Sequence, residues 1–277
     1  VLGVCTAGGE EFFATYVVTG PGREGSEWLT GEARRLGLNM AINPVDIGVR
    51  VELPAAVMEY LTDTIYETKL IFYSKLFDDK VRTFCMSPYG SVVLENNGGL
   101  ITVNGHTHAA RRSKNTNFAL LVSKTFTDPF REPIAYGQYV ARLANLLGGG
   151  VLVQRLGDLI AGKRSTPERI SRGLVVPTLK DATPGDLSLV LPYRHLTAIV
   201  EMLKALDKLA PGVYSRHTLL YGVEVKFYSS RIELSKEFET KVENLYAVGD
   251  GAGVTRGLAQ ASVSGVIAAR SILSRQG

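Results

Sequence analysis

Asn244-Leu245-Tyr246-Ala247-Val248-Gly249-Asp250-Gly251-Ala252-Gly253, followed closely by Gly257-Leu258-Ala259-Gln260-Ala261-Ser262, is the stretch on which the reading of this fold turns. An apolar run of strand length enters a glycine-rich turn carrying one carboxylate, and a helix of small residues leaves it. Gly249, Gly251 and Gly253 allow backbone to approach a ligand closely. Asp250 is placed to accept hydrogen bonds from hydroxyls, each charge-assisted bond contributing about 1.5–3 kcal/mol. The helix that follows aims free N–H groups and its positive end at whatever lies over the turn. A plain β–turn–helix connection in which Asp250 caps the helix uses the same residues, and the pattern alone leaves both readings open.

Working outward, Val1–Thr6 and Phe12–Thr19 read as strands joined by the hairpin turn Ala7-Gly8-Gly9-Glu10, and the second ends in Thr19-Gly20-Pro21-Gly22. Ser26 to Leu36 reads as a helix with Gly37 as its C′ residue. From Asp46 to Leu53 a strand is expected, with Ile47, Val49 and Val51 alternating against Gly48, Arg50 and Glu52. Further strands are expected at Ile65–Lys75, Val81–Met86, Ser91–Glu95, Leu100–Asn104, Phe118–Phe126, Thr218–Phe227 and Leu245–Val248. Helices are expected from Pro133 to Leu147, Tyr193 to Leu209 and Gly257 to Leu273, the last packing Ala259, Ala261, Ser262 and Gly265 inward.

The chain has 277 residues, 45% hydrophobic and 21% charged, the balance of an ordinary globular protein. No apolar run approaches the roughly 18 residues that a membrane helix needs, so no membrane partner is expected. Two cysteines without a pairing motif make a reducing cytoplasm the default location. The net charge is +4, and its one dense basic run, Arg111-Arg112-Ser113-Lys114, lacks interleaved aromatics, which argues for a solvated loop and no nucleic-acid partner. Cys5 and Cys85 are far apart with no CxxC pair, which argues against a disulfide framework, a zinc site or a redox dithiol.

Weaker signals have plain explanations. Gly157 to Lys163 has the spacing of a phosphate-binding loop, but Arg164 stands where a magnesium-binding Ser or Thr is required. His106 and His108 could share a face, yet no third ligand accompanies them, so no metal site is assigned. Glu224 and Arg231 could be paired by a reversal through Ser229-Ser230, either as an ordinary cross-strand ion pair or at a substrate site. Cys85 reads as a small buried hydrophobe.

The segment Leu245 to Gly253 resembles the second flavin-binding motif of the glutathione-reductase-like FAD superfamily, where the Asp holds the ribityl chain. Asn43-Pro44-Val45-Asp46-Ile47-Gly48-Val49-Arg50-Val51-Glu52, Thr83-Phe84-Cys85-Met86-Ser87-Pro88-Tyr89-Gly90 and Gly222 to Ile232 resemble signatures of a group of uncharacterised FAD-dependent dehydrogenases. That resemblance extends over nearly the whole chain. It departs at Pro88-Tyr89-Gly90 and Val225-Lys226, where the family has Pro-Gly-Gly and Thr-Arg. No GxGxxG opening a βαβ unit occurs, so the chain is expected to be a C-terminal portion whose partner is the missing N-terminal FAD-binding segment, with FAD weakly held or absent in this chain by itself.

The resemblance implies an α+β fold: an α/β remnant of a two-part FAD-binding domain (1–39 and 236–277) and an inserted mixed-sheet substrate or cap domain (40–235). It implies hydride transfer between a small-molecule substrate and flavin in the intact oxidoreductase. Gly249, Asp250, Gly251, Gly253, Gly257 and Leu258 are the expected cofactor residues; Tyr89, Glu224 and Arg231, with Arg82 and Asn117, are substrate-side candidates. No catalytic acid or base is named. A strand missing beside Leu245–Val248 would leave an open edge able to self-associate. The alternative from another class is a non-catalytic binding module, or an inactive fragment, on a flavoprotein scaffold.

Overall fold

The structure, a computed structural model, describes residues 1–22, 24–41, 44–127, 129, 130, 132–226 and 231–276. In chain order, β1 (Gly3–Cys5), β2 (Glu11–Phe13) and β3 (Val17–Thr19) precede α1 (Ser26–Arg35) and β4 (Met40–Ala41). Next come β5 (Val45–Pro54), α2 (Ala55–Thr62), β6 (Ile71–Tyr73), β7 (Lys80–Ser87), β8 (Ser91–Asn97), β9 (Leu100–His106) and β10 (Asn115–Lys124). They lead into α3 (Pro133–Gly148), β11 (Leu152–Arg155), α4 (Leu156–Ile160), α5 (Pro167–Ser171), β12 (Thr183–Pro184), α6 (Tyr193–Leu206) and β13 (Leu219–Lys226). The chain closes with β14 (Arg231–Ile232), β15 (Leu245–Ala247) and α7 (Leu258–Gln276). The fold is α+β. Among the described residues, no helix is long and apolar enough to cross a membrane.

Two compact units divide it. The first comprises Val1–Pro44, Thr125–Pro133 and Tyr228–Gly277, and the second comprises Val45–Lys124 and Ile134–Phe227.

In the first unit β3 and β15 lie parallel, Val17 opposite Leu245 and Thr19 opposite Ala247. The expected strand Phe12–Thr19 is two strands: β2 forms a hairpin with β1, and only β3 joins β15. The helix α1 stops as its sequence suggests. Gly37 takes φ +65°, its N–H reaches the Arg34 carbonyl at 3.1 Å, and the Leu38 N–H reaches the Ala33 carbonyl at 2.8 Å. This is a Schellman closure. Leu29, Ala33, Leu38, Ile232, Ala247 and Ala252 form the local core.

Two expectations fail here. β15 is not an open edge, because the Thr240 N–H binds the Leu245 carbonyl at 2.8 Å and the Ala247 N–H binds the Phe238 carbonyl at 3.0 Å on the side away from β3. Along α7 the inward stripe is Ala261, Ser264, Gly265 and Ala268, while Ala259 and Ser262 are exposed. The period of 3.6 puts residues 261, 264, 265 and 268 on one face, and 259 and 262 off it.

The second unit is built on a seven-stranded mixed sheet ordered β12-β11-β13-β5-β10-β7-β6. β5 sits between β13 and β10, antiparallel to both. Its alternation does not mark a solvent face: every residue from Val45 to Leu53 is buried. Ile47, Val49, Val51 and Leu53 form one face, and α2 and α6 pack across β5 and β10. Arg50 and Glu52 lie on the other, beneath the β8–β9 hairpin, which is a two-stranded sheet of its own. The strand expected over Ile65–Lys75 is cut to Ile71–Tyr73. Before Ile71 the Thr83 N–H still reaches the Leu70 carbonyl at 2.9 Å, but the Thr83 hydroxyl takes the Leu70 N–H at 2.8 Å and donates to the Thr68 carbonyl at 2.7 Å.

The polar face is organised by Arg50, which has no exposed surface. Its Nε and Nη2 grip the two Glu224 oxygens at 2.8 and 3.0 Å. Nη1 donates to the Cys85 carbonyl at 2.6 Å and Asn117 Oδ1 at 3.2 Å, and Nη2 also donates to Asn104 Oδ1 at 2.9 Å. All five guanidinium N–H groups are thus used. Lys226 Nζ adds contacts to Glu224 at 3.4 Å and Glu95 at 3.2 Å. Further along β5, Glu52 accepts from the Tyr221 hydroxyl at 2.5 Å and the Thr178 hydroxyl at 2.6 Å. Burial first, then Glu52, pushes the Tyr221 phenol well above its ordinary value.

Two predictions follow from burial of charge and of imidazole. Arg50→Met leaves Glu224 buried without its main partner and should cost about 3–5 kcal/mol of unfolding free energy in urea melts. Adding Glu224→Gln should recover part of that loss. On α6, His195 is 2% exposed and neither ring nitrogen has a partner among the described residues. Burial, with Lys124 next, pushes it down to about 4, Asp79 opposing and Arg194 assisting. The unfolded chain therefore takes up a proton near the ordinary His value of about 6.5 that the folded chain refuses until about 4. Stability is fully present above that ordinary value and falls as pH drops toward the folded one. The loss from this group between pH 7 and pH 5 should be about 2 kcal/mol, and His195→Leu should remove it from the difference between melts at the two pH values.

Candidate functional site

β3 and β15 are neighbouring parallel strands, and each ends in a glycine-bearing turn that leads toward a helix. The turn after β3 is Gly20-Pro21-Gly22, before α1; the turn after β15 is Val248-Gly249-Asp250-Gly251-Ala252-Gly253, before α7. The Val248 N–H extends the pairing to the Thr19 carbonyl at 2.9 Å, so the turns begin side by side. They then touch: a Cβ on Gly251 would lie 2.2 Å from the Gly22 carbonyl oxygen. That contact, between backbones, accounts for glycine at 251.

Asp250 opens a single 3-10 turn, Asp250–Ala252, flanked by Gly249 at φ 77° and Gly253 at φ 72°. The Gly249 N–H donates to Ser264 Oγ at 3.0 Å, tying the turn to α7. Asp250 Oδ1 accepts from the Thr255 hydroxyl at 2.6 Å and from the Gly257 N–H at 3.1 Å. Gly257 directly precedes the first residue of α7, so this oxygen secures the loop that starts the helix. Capping, the plainer reading, is therefore present on Oδ1. The turn also borders open space: a Cβ at Gly22 or Gly257 would meet nothing within 4 Å, and the carboxylate beside it is half-buried. Leu258, 90% exposed, is the first residue of α7. Thr255 and Ser264 were not singled out by the sequence; a hydroxyl five residues past the turn aspartate was the only available signal.

A cavity of about 440 Å³ lies elsewhere in the first unit, lined by Val4, Trp28, Leu36, Leu245 and other mainly apolar side chains. No residue of the glycine turn lines it. Its walls come from segments far apart in sequence, which hid it from a linear reading.

In the second unit the substrate-side candidates are mostly committed to structure. Glu224 is fully buried and takes Arg50 as its partner; Arg231, expected to pair with it, opens β14 in the first unit and is exposed. Ser229-Ser230 lie outside the described residues. Arg82 pairs with Asp46 and lies over the Phe84 ring. Asn117 gives Oδ1 to Arg50, and its buried Nδ2 has no partner among the described residues. Tyr89, at φ 52°, donates to Glu59 at 2.7 Å and carries Arg112 over its ring; the hydrogen bond to Glu59 holds its phenol above the ordinary value. Cys85 is half-buried, and burial pushes its thiol up.

The remaining motifs resolve plainly. Of the segment resembling a phosphate loop, Gly157 to Ile160 lie in α4, and its buried Asp158 is held by Arg155 at 2.9 Å and Ser165 at 2.7 Å. His106 and His108 stack edge to face at 4.6 Å, and no group of three or more metal-binding side chains occurs among the described residues.

Comparison with known proteins completes the picture. An uncharacterized protein of Clostridium beijerinckii is 28% identical over 266 residues, covering 87% of this chain and 48% of its own length. The chain thus spans about half the length of that curated relative. The model of the family described as FAD-dependent protein, C-terminal domain-like matches residues 44–227, nearly the span of the seven-stranded sheet and its hairpin. The glycine turn lies outside the matched residues. The chain belongs to this FAD-dependent C-terminal domain-like family.

Proposed function

We propose that the chain serves an FAD-dependent oxidoreductase that moves a hydride between a small-molecule substrate and the flavin. The first unit contributes to holding the cofactor, and the second, residues 45–124 and 134–227, forms the substrate-side domain. The observation that carries this reading is the Asp250 turn at the carboxyl ends of two adjacent parallel strands, the place where open α/β sheets bind nucleotides. Membership of an FAD-dependent family supports it independently, through a different part of the chain.

When bound, the flavin would supply the hydride chemistry at its ring. This chain's own residues would bind and orient. Asp250 would accept from ribityl hydroxyls, Gly249, Gly253 and Gly257 would keep side chains out of the way, and the N–H groups opening α7 would face developing negative charge. The second reading, a non-catalytic module in which Asp250 only secures the loop, draws on its bonds to Thr255 and Gly257.

One substitution separates the two. In the full-length gene product, Asp250→Ala should weaken FAD binding tenfold to a hundredfold, the equivalent of losing about 1.5–3 kcal/mol of charge-assisted hydrogen bonding, with the fold retained by circular dichroism. Titration of FAD followed by flavin fluorescence reads this directly. Unchanged affinity together with a lowered melting temperature would leave Asp250 as a capping residue alone.

A further inference from the structure

We infer that Thr255 is a positioning residue for the flavin-binding carboxylate, an assignment that rests on the reading of Asp250 given above. The Thr255 hydroxyl donates to Asp250 Oδ1 at 2.6 Å, within the short range of O–H bonds to a charged acceptor. The Gly257 N–H reaches the same oxygen at 3.1 Å. The terminal torsion of an aspartate is soft, so a carboxylate held through one donor can still swing about it. The Thr255 hydroxyl and the Gly257 N–H, two residues apart just before α7, converge on Oδ1 and hold that oxygen, and so the carboxylate plane, against this torsion.

The loop is built to deliver that hydroxyl. Gly253 turns the chain with φ 72°, and Val254 then packs against the core of Leu29, Ala33, Ala247 and Ala252. This anchors the backbone one residue before Thr255. On the far side, the Arg256 N–H is accepted by Gln260 Oε1 at 3.0 Å, fixing the loop to the first turn of α7. Thr255 is thus held between an apolar anchor and a helix start, with its hydroxyl turned onto Asp250. A ligand whose hydroxyls need a carboxylate in one orientation gains from this, because the orientation is set before binding.

The test is a set of FAD titrations on the full-length gene product, read by flavin fluorescence, with circular dichroism to confirm folding. Thr255→Val keeps the shape and removes the donor, and should weaken FAD three- to tenfold. Thr255→Ser restores the hydroxyl and should lie within twofold of the parent. Asp250→Ala should weaken binding at least tenfold, and Asp250→Ala with Thr255→Val should be no weaker than Asp250→Ala alone, since Thr255 acts only through that carboxylate. Should the valine variant not fold, Thr255→Ala carries the same expectation. Parental affinity in Thr255→Val, failure of Thr255→Ser to restore it, or an additive double variant would overturn the assignment of Thr255 while leaving Asp250 in place. Parental affinity in Asp250→Ala would overturn the flavin reading itself, and this inference with it.

Discussion

The bidentate contact between Arg50 and Glu224 sits where water cannot reach either partner, and much of the second unit is arranged around that fact. Removing a guanidinium and a carboxylate from water costs several kcal/mol per ion, and the attraction between them offsets this only when the remaining N–H groups are also satisfied. Here they are, by Cys85, Asn117 and Asn104, which come from three further strands. The register of β5 against β13 and β10 follows. A slip of one residue would turn Arg50 onto the apolar side facing α2 and α6. The left-handed backbone at Cys85, φ 42°, lies where β7 shifts register against β10 between Phe84 and Ser87, and the Cys85 carbonyl there is an Arg50 acceptor.

Close approach of the covering hairpin depends on a missing side chain. A Cβ at residue 105 would lie 2.2 Å from Asn117 Oδ1 and 2.6 Å from Arg50 Nη1. Glycine there lets β9 settle onto the ionic layer, which brings Asn104 to Arg50. Charge, hydrogen bonding and packing thus converge on a few atoms.

Much of this fold was legible in the sequence, and the failures share a cause. β5, β7 to β10 and α6 were visible because their apolar residues repeat at the strand or helix period over enough length. The alternation in β5 nevertheless misled about its surroundings: a polar face can be solvated or internally paired, and only partners from distant strands decide which. Glu224 was matched to Arg231 because they are close in sequence, whereas the partner it takes is 174 residues away. The helix α2 and the strand β11, at eight and four residues, are too short for a period to show in the sequence. At the glycine turn the backbone course and the lone carboxylate were readable. The second hydrogen-bonding layer of Thr255 and Ser264 was not, since its geometry depends on how the loop after Gly253 closes.

The β8–β9 hairpin is a sheet of its own, outside the ladder of the seven-stranded sheet, while lying over the ionic layer, and this separates two kinds of opening. Amides of β5 are bonded between two long neighbours, so their deuterium uptake should await unfolding of the whole sheet. The hairpin is joined to its surroundings by side chains such as Asn104, Asn145 and Thr178, and can lift as a smaller cooperative piece. When it does, solvent reaches a guanidinium that is dry in the closed state, and the first ordered part of this unit to exchange would be the one that shields its most deeply buried charge.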